Sequence, residues 1–329
     1  MAARAPSAPK TRRRKTRAAA RAPQTVRVAA IQAAPVLLDL QRTTARLIDL
    51  MAQAAARGAR LVAFGETWLP GYPAWLDVCP GAAYWNHPPA KKAFARLRAN
   101  SVTIPGPEIG RIARAAKKHQ VVVVLGVHER VEGAPGHGTL FNTQLIIGSD
   151  GTILSRHRKL MPTFAERLVW GQGDGRGLDS VATSIGRVGS LICWEHWMPL
   201  ARQAVHRSGE QIHVACWPSV HDLHQLASRH YAFEGRCFVL AVGQIIRVRD
   251  LPKEMELPEN LRRSPEAFLY NGGTAIYGPD GGLLAGPVYD REEIVVADLD
   301  LSRIAEEAMA LDVTGHYDRP DVFEFRVRG

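Results

Sequence analysis

Short apolar runs alternate with longer amphipathic stretches along this chain of 329 residues. Short runs rich in β-branched residues predict strands, whereas apolar positions spaced three or four residues apart predict helices. The predicted strands are 26–34, 61–64, 121–124, 139–147, 152–156, 188–192, 211–216, 237–245, 271–277, 283–285 and 293–299. The predicted helices are 41–57, 108–119, 193–206 and 222–234. This mixture predicts an α/β fold whose sheets contain both parallel and antiparallel pairs, with 139–147 and 152–156 forming a hairpin.

Three ionisable side chains stand where predicted strands end. Glu66 follows the apolar run 61–64, Lys159 follows 152–156, and Cys193 follows 188–192. Because the carboxyl ends of strands gather at one rim of an open α/β sheet, an acid, a lysine and a thiol are predicted to share a pocket. At the start of a helix, Cys193 would also face outward N–H groups, which favour a thiolate. The position of Cys193 alone favours a buried structural cysteine. The segments that end at Glu66 and Lys159 favour a nucleophile instead.

The chain resembles the carbon–nitrogen hydrolase superfamily and, within it, the nitrilases. Four segments carry the resemblance in family order, and together they span nearly the whole chain: 64–73, 157–167, 191–196 and 315–323. The sequence departs from the family at Gly65, where a proline usually precedes the catalytic glutamate. The resemblance implies an α-β-β-α four-layer sandwich, in which two stacked mixed sheets are covered by helices on both outer faces. One carbon–nitrogen hydrolase domain is expected over residues 26–329.

The resemblance also implies a mechanism. Cys193 would be the nucleophile, Glu66 the base and Lys159 the cation, because a free thiol is mostly protonated at neutral pH and needs such partners. Addition of the sulfur to a nitrile carbon places negative charge on nitrogen, which Lys159 and the backbone N–H of Trp194 would stabilise. A thioimidate and then a thioester would form, so that ammonia and a carboxylic acid are released. This chemistry requires no cofactor and no metal.

Two further glutamates lie close to these residues in sequence. Glu166 comes seven residues after Lys159 and matches the family's second glutamate, so the resemblance implies that it holds Lys159 charged or positions water. Without the resemblance, Glu166 would be interpreted as a surface acid paired with a neighbouring arginine. Glu195 is two residues from the nucleophile, and residues so spaced do not face each other on a helix, so a structural role is expected for it.

Aromatic residues cluster around the same segments, since all seven tryptophans lie between positions 68 and 217. Core packing accounts for part of this set. The remainder are expected to line an apolar substrate pocket, and the substrate-binding candidates are Trp194, Trp68, Tyr72 and Trp217. Residues 77–100 and 217–219 are the expected substrate-shaping loops.

The basic charge of the chain is concentrated at its beginning. The formal net charge is +10, but the first 27 residues hold nine of the 42 lysines and arginines and no acidic residue, so the remainder is nearly neutral. Residues 1–25 are therefore predicted to form a disordered basic tail. A transit peptide and a non-specific polyanion contact are the alternatives for this segment, and no specific nucleic-acid binding is expected.

Other patterns exclude several classes of protein. The four cysteines show no CxxC spacing, which disfavours a zinc cage or a disulfide framework and favours a reducing compartment. No apolar run is long enough for a secretory signal or a membrane span, so a cytoplasmic protein is expected. The glycine-rich residues 171–177 are interpreted as a loop, and three histidines are interpreted as one helix face rather than a metal site: His221, His224 and His230.

Three hypotheses of function follow. The first is a nitrilase, the second an amidase, carbamoyl hydrolase or cyanide-hydrating enzyme on the same scaffold, and the third a polyanion-binding protein that acts through its basic tail. The resemblance also implies homo-oligomers, including spiral filaments. The preferred nitrile does not follow from the sequence, because one methylene is worth only about 1–3 kcal/mol of discrimination.

Overall fold

The computed structural model describes residues 24–133 and 135–328. Its strands are β1 (Thr25–Gln32), β2 (Leu61–Ala63), β3 (Val122–Arg130), β4 (Leu140–Ile147), β5 (Ile153–Arg158), β6 (Val181–Thr183), β7 (Gly186–Ile192), β8 (Ile212–Cys216), β9 (Phe238–Val242), β10 (Ile245–Arg247), β11 (Phe268–Tyr277), β12 (Leu283–Tyr289) and β13 (Glu293–Asp300). Its α-helices are α1 (Leu40–Ala56), α2 (Trp75–Val78), α3 (Pro88–Ala99), α4 (Pro107–His119), α5 (Pro199–Arg207), α6 (Asp222–Gly235), α7 (Glu259–Arg262) and α8 (Arg303–Glu307). Short 3-10 helices cover Pro80–Ala83, Phe164–Leu168, Cys193–Trp197 and Val248–Asp250.

These strands form two sheets. The first has the order β13-β1-β2-β3-β4-β5, and the second has the order β10-β11-β9-β8-β7-β6 with β12 paired to β11. Strands β1 to β3 are parallel, as are β7 to β9, while the flanking pairs are antiparallel. The predicted mixed pairing is therefore confirmed.

Three apolar layers separate four layers of secondary structure. One core packs α1 and α4 against the first sheet, a second fills the space between the sheets, and a third packs α5 and α6 against the second sheet. Strand β1 shows why the sequence folds this way: Ala29 and Ile31 face the helices, whereas Val28 and Ala30 face the other sheet. Because both faces are buried, the strand is a continuous apolar run. The α-β-β-α sandwich is confirmed.

Several predicted elements change in the structure. The β4–β5 hairpin forms as predicted, with Thr143 opposite Arg158. The helix predicted for 193–206 is wrong as a single element: a 3-10 helix ends at Trp197, and Pro199 begins α5, since the residue before a proline is pushed out of the helical region. The strand predicted for 237–245 is also divided, because β9 ends at Val242 before β10 begins. Helix α3 and strand β6 were not predicted at all.

The predicted tail lies almost wholly outside the described residues, at positions 1–23. Thr25 belongs to the fold, because it begins β1 and pairs with Asp300 of β13. Among residues 24–133 and 135–328, no helix combines the length and apolar character needed to cross a membrane.

Candidate active site

Loops at the ends of both sheets bring the sequence-predicted residues together. Glu66 follows β2, Lys159 follows β5, and Cys193 follows β7, so the stacking of the two sheets closes the site. The Cys193 sulfur and one carboxylate oxygen each from Glu66 and Glu166 lie within 4.8 Å of one another. All four side chains are almost completely buried.

Lys159 is the centre of this cluster. Its Nζ donates to Oε1 of Glu66 at 2.7 Å and to both carboxylate oxygens of Glu166, at 3.0 and 2.7 Å. Burial lowers the pKa of Lys159, but the acidic groups around it outweigh burial and hold that pKa above its ordinary value. The ammonium is therefore charged at neutral pH, and its three protons all face carboxylates.

Glu166 is fixed by its own loop as well as by Lys159. It lies in the 3-10 helix Phe164–Leu168, where its Oε2 accepts the backbone N–H of Thr163 at 2.6 Å in a capping box. Its Oε1 accepts the hydroxyl proton of Tyr72 at 2.8 Å. The surface interpretation of Glu166 is wrong, since the carboxylate is buried against the lysine.

Glu66 has the environment of a general base. Its Oε1 accepts from Asn142 at 2.6 Å as well as from Lys159, while its Oε2 accepts from no described residue. Burial raises the pKa of Glu66 to about 7, although the charge of Lys159 and the hydrogen bond from Asn142 oppose that rise. A carboxyl group that titrates near neutral pH can both accept and return a proton there.

Cys193 stands at a sharp turn between β7 and a 3-10 helix. Its φ of 52° lies in the left-handed region that non-glycine residues seldom adopt, and such conformations cluster at active sites. Burial, together with the neighbouring carboxylates of Glu66 and Glu166, raises the pKa of Cys193 well above its ordinary value despite the charge of Lys159. Burial of the thiol therefore opposes the thiolate form that the start of the helix is expected to favour.

Glu195 ties the two halves of the site together. Its carboxylate accepts the backbone N–H of Ile192 and that of Leu160, each at 2.8 Å, and contacts Nε2 of His157 at 2.9 Å. Ile192 precedes Cys193 in the chain, whereas His157 and Leu160 lie on either side of Lys159. These contacts agree with the structural role expected from the sequence.

A cavity of about 280 Å³ opens beside the cluster. Two of the four substrate-binding candidates line it, Tyr72 and Trp194. The other two are corrected: Trp68 is buried in the core and donates from its indole to the Ala33 carbonyl at 2.9 Å, and Trp217 is buried with its indole N–H on Ser228. Both rings are held away from the cavity because their single donor is satisfied inside the protein.

The structure also places residues in the site that the sequence did not predict. Asn142 holds Glu66, and Tyr270 lines the cavity together with Asp77, the first residue of the expected substrate-shaping loop 77–100. The signal for Asn142 was a polar side chain within a buried apolar strand, whereas Tyr270 is 193 positions from its partner Asp77 and carries no local signal. His221, the residue before α6, and His224 within it also line the cavity.

The acidic groups around Cys193 do not need a metal ion to balance their charge. Glu66, Glu166 and Cys193 offer ligand atoms close enough for a cation, but the Lys159 ammonium already contacts both carboxylates. The protonated lysine thus occupies the position between the carboxylates where a cation would bind. We therefore assign no metal to this cluster.

Comparison with known proteins decides the family. Residues 27–308 match the profile of the carbon-nitrogen hydrolase family. The chain belongs to that family. Within the carbon–nitrogen hydrolases it falls in the nitrilase branch, because its relatives at about 40% identity are named as nitrilases.

Three of those relatives illustrate the branch. The aliphatic nitrilase of Sinorhizobium fredii is 42% identical and aligns over 92% of this chain and 95% of its own length. The arylacetonitrilase of Aspergillus kawachii is 40% identical, with 92% of each chain aligned. The bifunctional nitrilase/nitrile hydratase of Lupinus angustifolius is 39% identical over 92% of this chain and 86% of its own.

Solved structures agree on the fold of this carbon–nitrogen hydrolase. A carbon-nitrogen hydrolase from Helicobacter pylori superposes with a TM-score of 0.68 at 20% identity, covering 91% of this chain and 97% of the other. An amidase from Nesterenkonia sp. AN1 superposes with a TM-score of 0.62 at 17% identity, covering 85% of this chain and 92% of the other. The four-layer sandwich is thus shared with both.

Proposed function

We propose that this enzyme hydrolyses an organic nitrile to the carboxylic acid and ammonia, with Cys193 as the nucleophile. The observation that carries the proposal is the position of the unpartnered Glu66 oxygen beside a buried, protonated thiol. The names of the relatives favour nitriles over amides as substrates.

The first stage forms a bond between the Cys193 sulfur and the nitrile carbon. As that bond forms, the thiol proton passes to Glu66, and Glu66 returns it to the nitrile nitrogen, which gives a neutral thioimidate. Lys159 offers positive charge to the developing nitrogen anion by redirecting its longer contact with Glu166, which measures 3.0 Å. Thiol, base and cation thereby act without any change in net charge of the cluster.

The second stage uses two water molecules. Glu66 removes a proton from the first water, whose oxygen attacks the thioimidate carbon, and passes that proton to nitrogen. The proton of the new hydroxyl group then moves to the same nitrogen as the carbon–nitrogen bond breaks, so that ammonia leaves and a C=O bond forms. The thioester that remains is hydrolysed by a second water, so that the carboxylic acid departs and the sulfur recovers its proton. Glu166 keeps Lys159 in place throughout, because its shorter contact with the ammonium, at 2.7 Å, remains when the longer one is redirected.

Release of an amide is the second candidate outcome. It follows if the tetrahedral intermediate expels the Cys193 sulfur instead of ammonia. The relative from Lupinus angustifolius, named as a bifunctional nitrilase/nitrile hydratase, favours this outcome for part of the turnover. Amide and acid are measured separately, so the two outcomes are distinguished in one assay.

Ammonia release tests the proposal. Aliphatic, aromatic and arylaliphatic nitriles are assayed beside their matching amides and cyanide, with the intact protein, Cys193→Ala and Cys237→Ala. Cys237 is a matched control because it is also a buried free cysteine and does not line the cavity. Nitrile turnover that only Cys193→Ala abolishes supports a nitrilase, whereas turnover of amides alone moves the enzyme to the amidase class.

We also propose that copies of the chain form homo-oligomers, including spiral filaments. Large apolar side chains are exposed on two adjoining helices of the second sheet, namely Leu200 on α5 and Leu223 and Leu226 on α6. Such a patch is typical of a protein interface. Light scattering and electron microscopy of the purified protein measure the assembly directly.

A cytoplasmic, reducing location is the corresponding proposal for the compartment. All four cysteines are free thiols, and Cys193 must stay reduced to act as a nucleophile. Fractionation of cells that express the full chain tests this placement.

A further inference from the structure

We propose that the cavity beside Cys193 selects nitriles whose organic group ends in a hydrogen-bond donor, a primary ammonium above all, and that Asp77 and Tyr270 form the subsite that holds it. This inference rests on the proposed nitrile hydrolysis and names its substrate class. The matching prediction is that nitriles with an anionic organic group are rejected.

The subsite is a carboxylate and a phenol that contact each other in the lining of the cavity. Asp77 lies in α2 and Tyr270 in β11, and both line the cavity that contains Cys193. The Tyr270 hydroxyl donates to Oδ2 of Asp77, and Oδ1 accepts no hydrogen bond from any residue in the described ranges. Asp77 therefore presents a free acceptor in the cavity in which the proposed reaction takes place.

Asp77 is the acid in the cavity wall that contacts no basic side chain among the described residues. Neither lysine nor arginine lines the cavity within the part of the chain that the structure describes. Glu166 is the other acidic residue in the wall, and Lys159 contacts both of its oxygens. Burial lowers the pKa of His224 to about 4, so that ring is neutral at pH 7. A cationic organic group would balance Asp77, and a carboxylate would meet repulsion.

Burial raises the pKa of Asp77, although the hydrogen bond from Tyr270 opposes the rise. The charge of Glu166 adds to that rise, and no salt bridge joins Asp77 to a basic residue in the described ranges. An ammonium group of the substrate would supply such a partner, as charge-assisted hydrogen bonds are the stronger ones.

Aromatic rings complete the subsite. Tyr72 and Tyr270 meet edge to face, with ring centroids 5.5 Å apart, and both line the cavity. Aromatic faces attract a nearby cation and also pack against methylene groups. A cavity of about 280 Å³ suits a short chain between the nitrile and the ammonium.

The experiment uses four nitriles of similar length that differ in the end group: γ-aminobutyronitrile, γ-hydroxybutyronitrile, valeronitrile and β-cyanopropionate. We expect kcat/KM to fall in that order in the full-length enzyme. Asp77→Asn keeps the size of the side chain and removes its charge, so it lowers kcat/KM for the amine about tenfold and leaves valeronitrile within about threefold. Asp49→Asn, an exposed acid on α1, is the matched control and changes neither value.

Three outcomes decide the inference. The subsite is supported if Asp77→Asn, but not Asp49→Asn, loses the higher kcat/KM for γ-aminobutyronitrile relative to valeronitrile. An equal loss for all four nitriles in Asp77→Asn shows that the Asp77–Tyr270 contact only braces α2 against β11, and this overturns the subsite. Faster turnover of β-cyanopropionate than of valeronitrile overturns it as well.

A binding measurement separates this inference from the proposed function. If none of the nitriles is hydrolysed, the proposed function fails, and calorimetry with γ-aminobutyronitrile then tests the subsite by itself. Cys193→Ala is compared with the double variant Cys193→Ala, Asp77→Asn. An affinity about tenfold higher in the first supports the subsite, and equal affinities overturn it.

Discussion

The His196 ring donates from Nδ1 to the backbone carbonyl of Cys193 across 2.7 Å. A carbonyl oxygen can only accept, so Nδ1 must carry the proton and Nε2 must accept. The His196 Nε2 accepts a hydrogen bond from Nε2 of His213 at 3.0 Å. The Nδ1 of His213 in turn contacts the Glu210 carboxylate at 2.7 Å. This buried chain of side chains holds the carbonyl of the nucleophile, whose backbone has a positive φ.

Replacing His196 should therefore misplace the thiol. We expect His196→Leu to lower kcat about 100-fold, because small displacements of a reacting group carry such costs. His196→Asn can present an amide N–H to the same carbonyl and should retain more of the rate. Steady-state kinetics and the rate of Cys193 alkylation are measured for both variants. An unchanged kcat in His196→Leu would contradict this role.

The activity should depend on pH through Glu66. The base must be ionised to take the thiol proton, and its pKa of about 7 means that kcat/KM rises as pH increases through about 7 and then levels off. The hydrogen bond from Asn142 favours the ionised form, so Asn142→Ala should raise the pKa of Glu66 and move this rise to higher pH. Initial rates across pH for both proteins check the prediction. A midpoint near the ordinary glutamate pKa, or a shift to lower pH, would show that another group controls the rate.

The sequence predicted the main residues of the site because each of these ionisable side chains comes directly after a strand. Glu66, Lys159 and Cys193 each come after an apolar run, and the two sheets do bring their ends together. The sequence did not show how deeply these three side chains are buried. Burial matters because it favours the protonated form of the Cys193 thiol. Burial depends on the second sheet covering the first, a long-range contact that local pattern does not contain.

The aromatic predictions failed where orientation mattered. Trp68 is next to the Glu66 turn in sequence, yet its ring points into the core and not into the cavity. The position of an aromatic residue in the sequence indicates that its backbone is near the site. It does not indicate whether the ring points into the cavity or into the core. Tyr270 shows the opposite case, because it lies in β11, far along the chain, and reaches the cavity only through the pairing of the second sheet.

Glu195 should be important for stability. It is buried against His157 and accepts two backbone N–H groups, so Glu195→Gln removes the charge and leaves donors poorly matched. Breaking a buried ion pair costs about 3–5 kcal/mol, and we expect the free energy of unfolding to fall by that order. Urea denaturation measures it, with Glu132→Gln as an exposed control. A loss below about 1 kcal/mol, the range of surface pairs, would contradict the bracing role.

Gly65, where the sequence departs from the family pattern, should tolerate a side chain poorly. A Cβ at this position would lie 2.9 Å from the backbone oxygen of Trp217, and backbone atoms there cannot move freely. Glu66 donates its own N–H to the same oxygen at 3.2 Å, so any shift would reach the base. We expect Gly65→Ala to lower both kcat and the free energy of unfolding, the latter by about 1–3 kcal/mol. A kcat and a Tm equal to those of the wild type would contradict this prediction, because they would show that the turn can accommodate a Cβ at residue 65.

Mass spectrometry of the enzyme during turnover tests the central claim most directly. The protein is mixed with a nitrile that releases ammonia, quenched in acid, digested and mapped, in parallel with Cys193→Ala. We predict that the peptide containing Cys193 gains the mass of the imidoyl or acyl group and that the variant shows neither adduct nor ammonia. Ammonia release by Cys193→Ala at the wild-type rate, or an adduct on a different residue, would contradict the account.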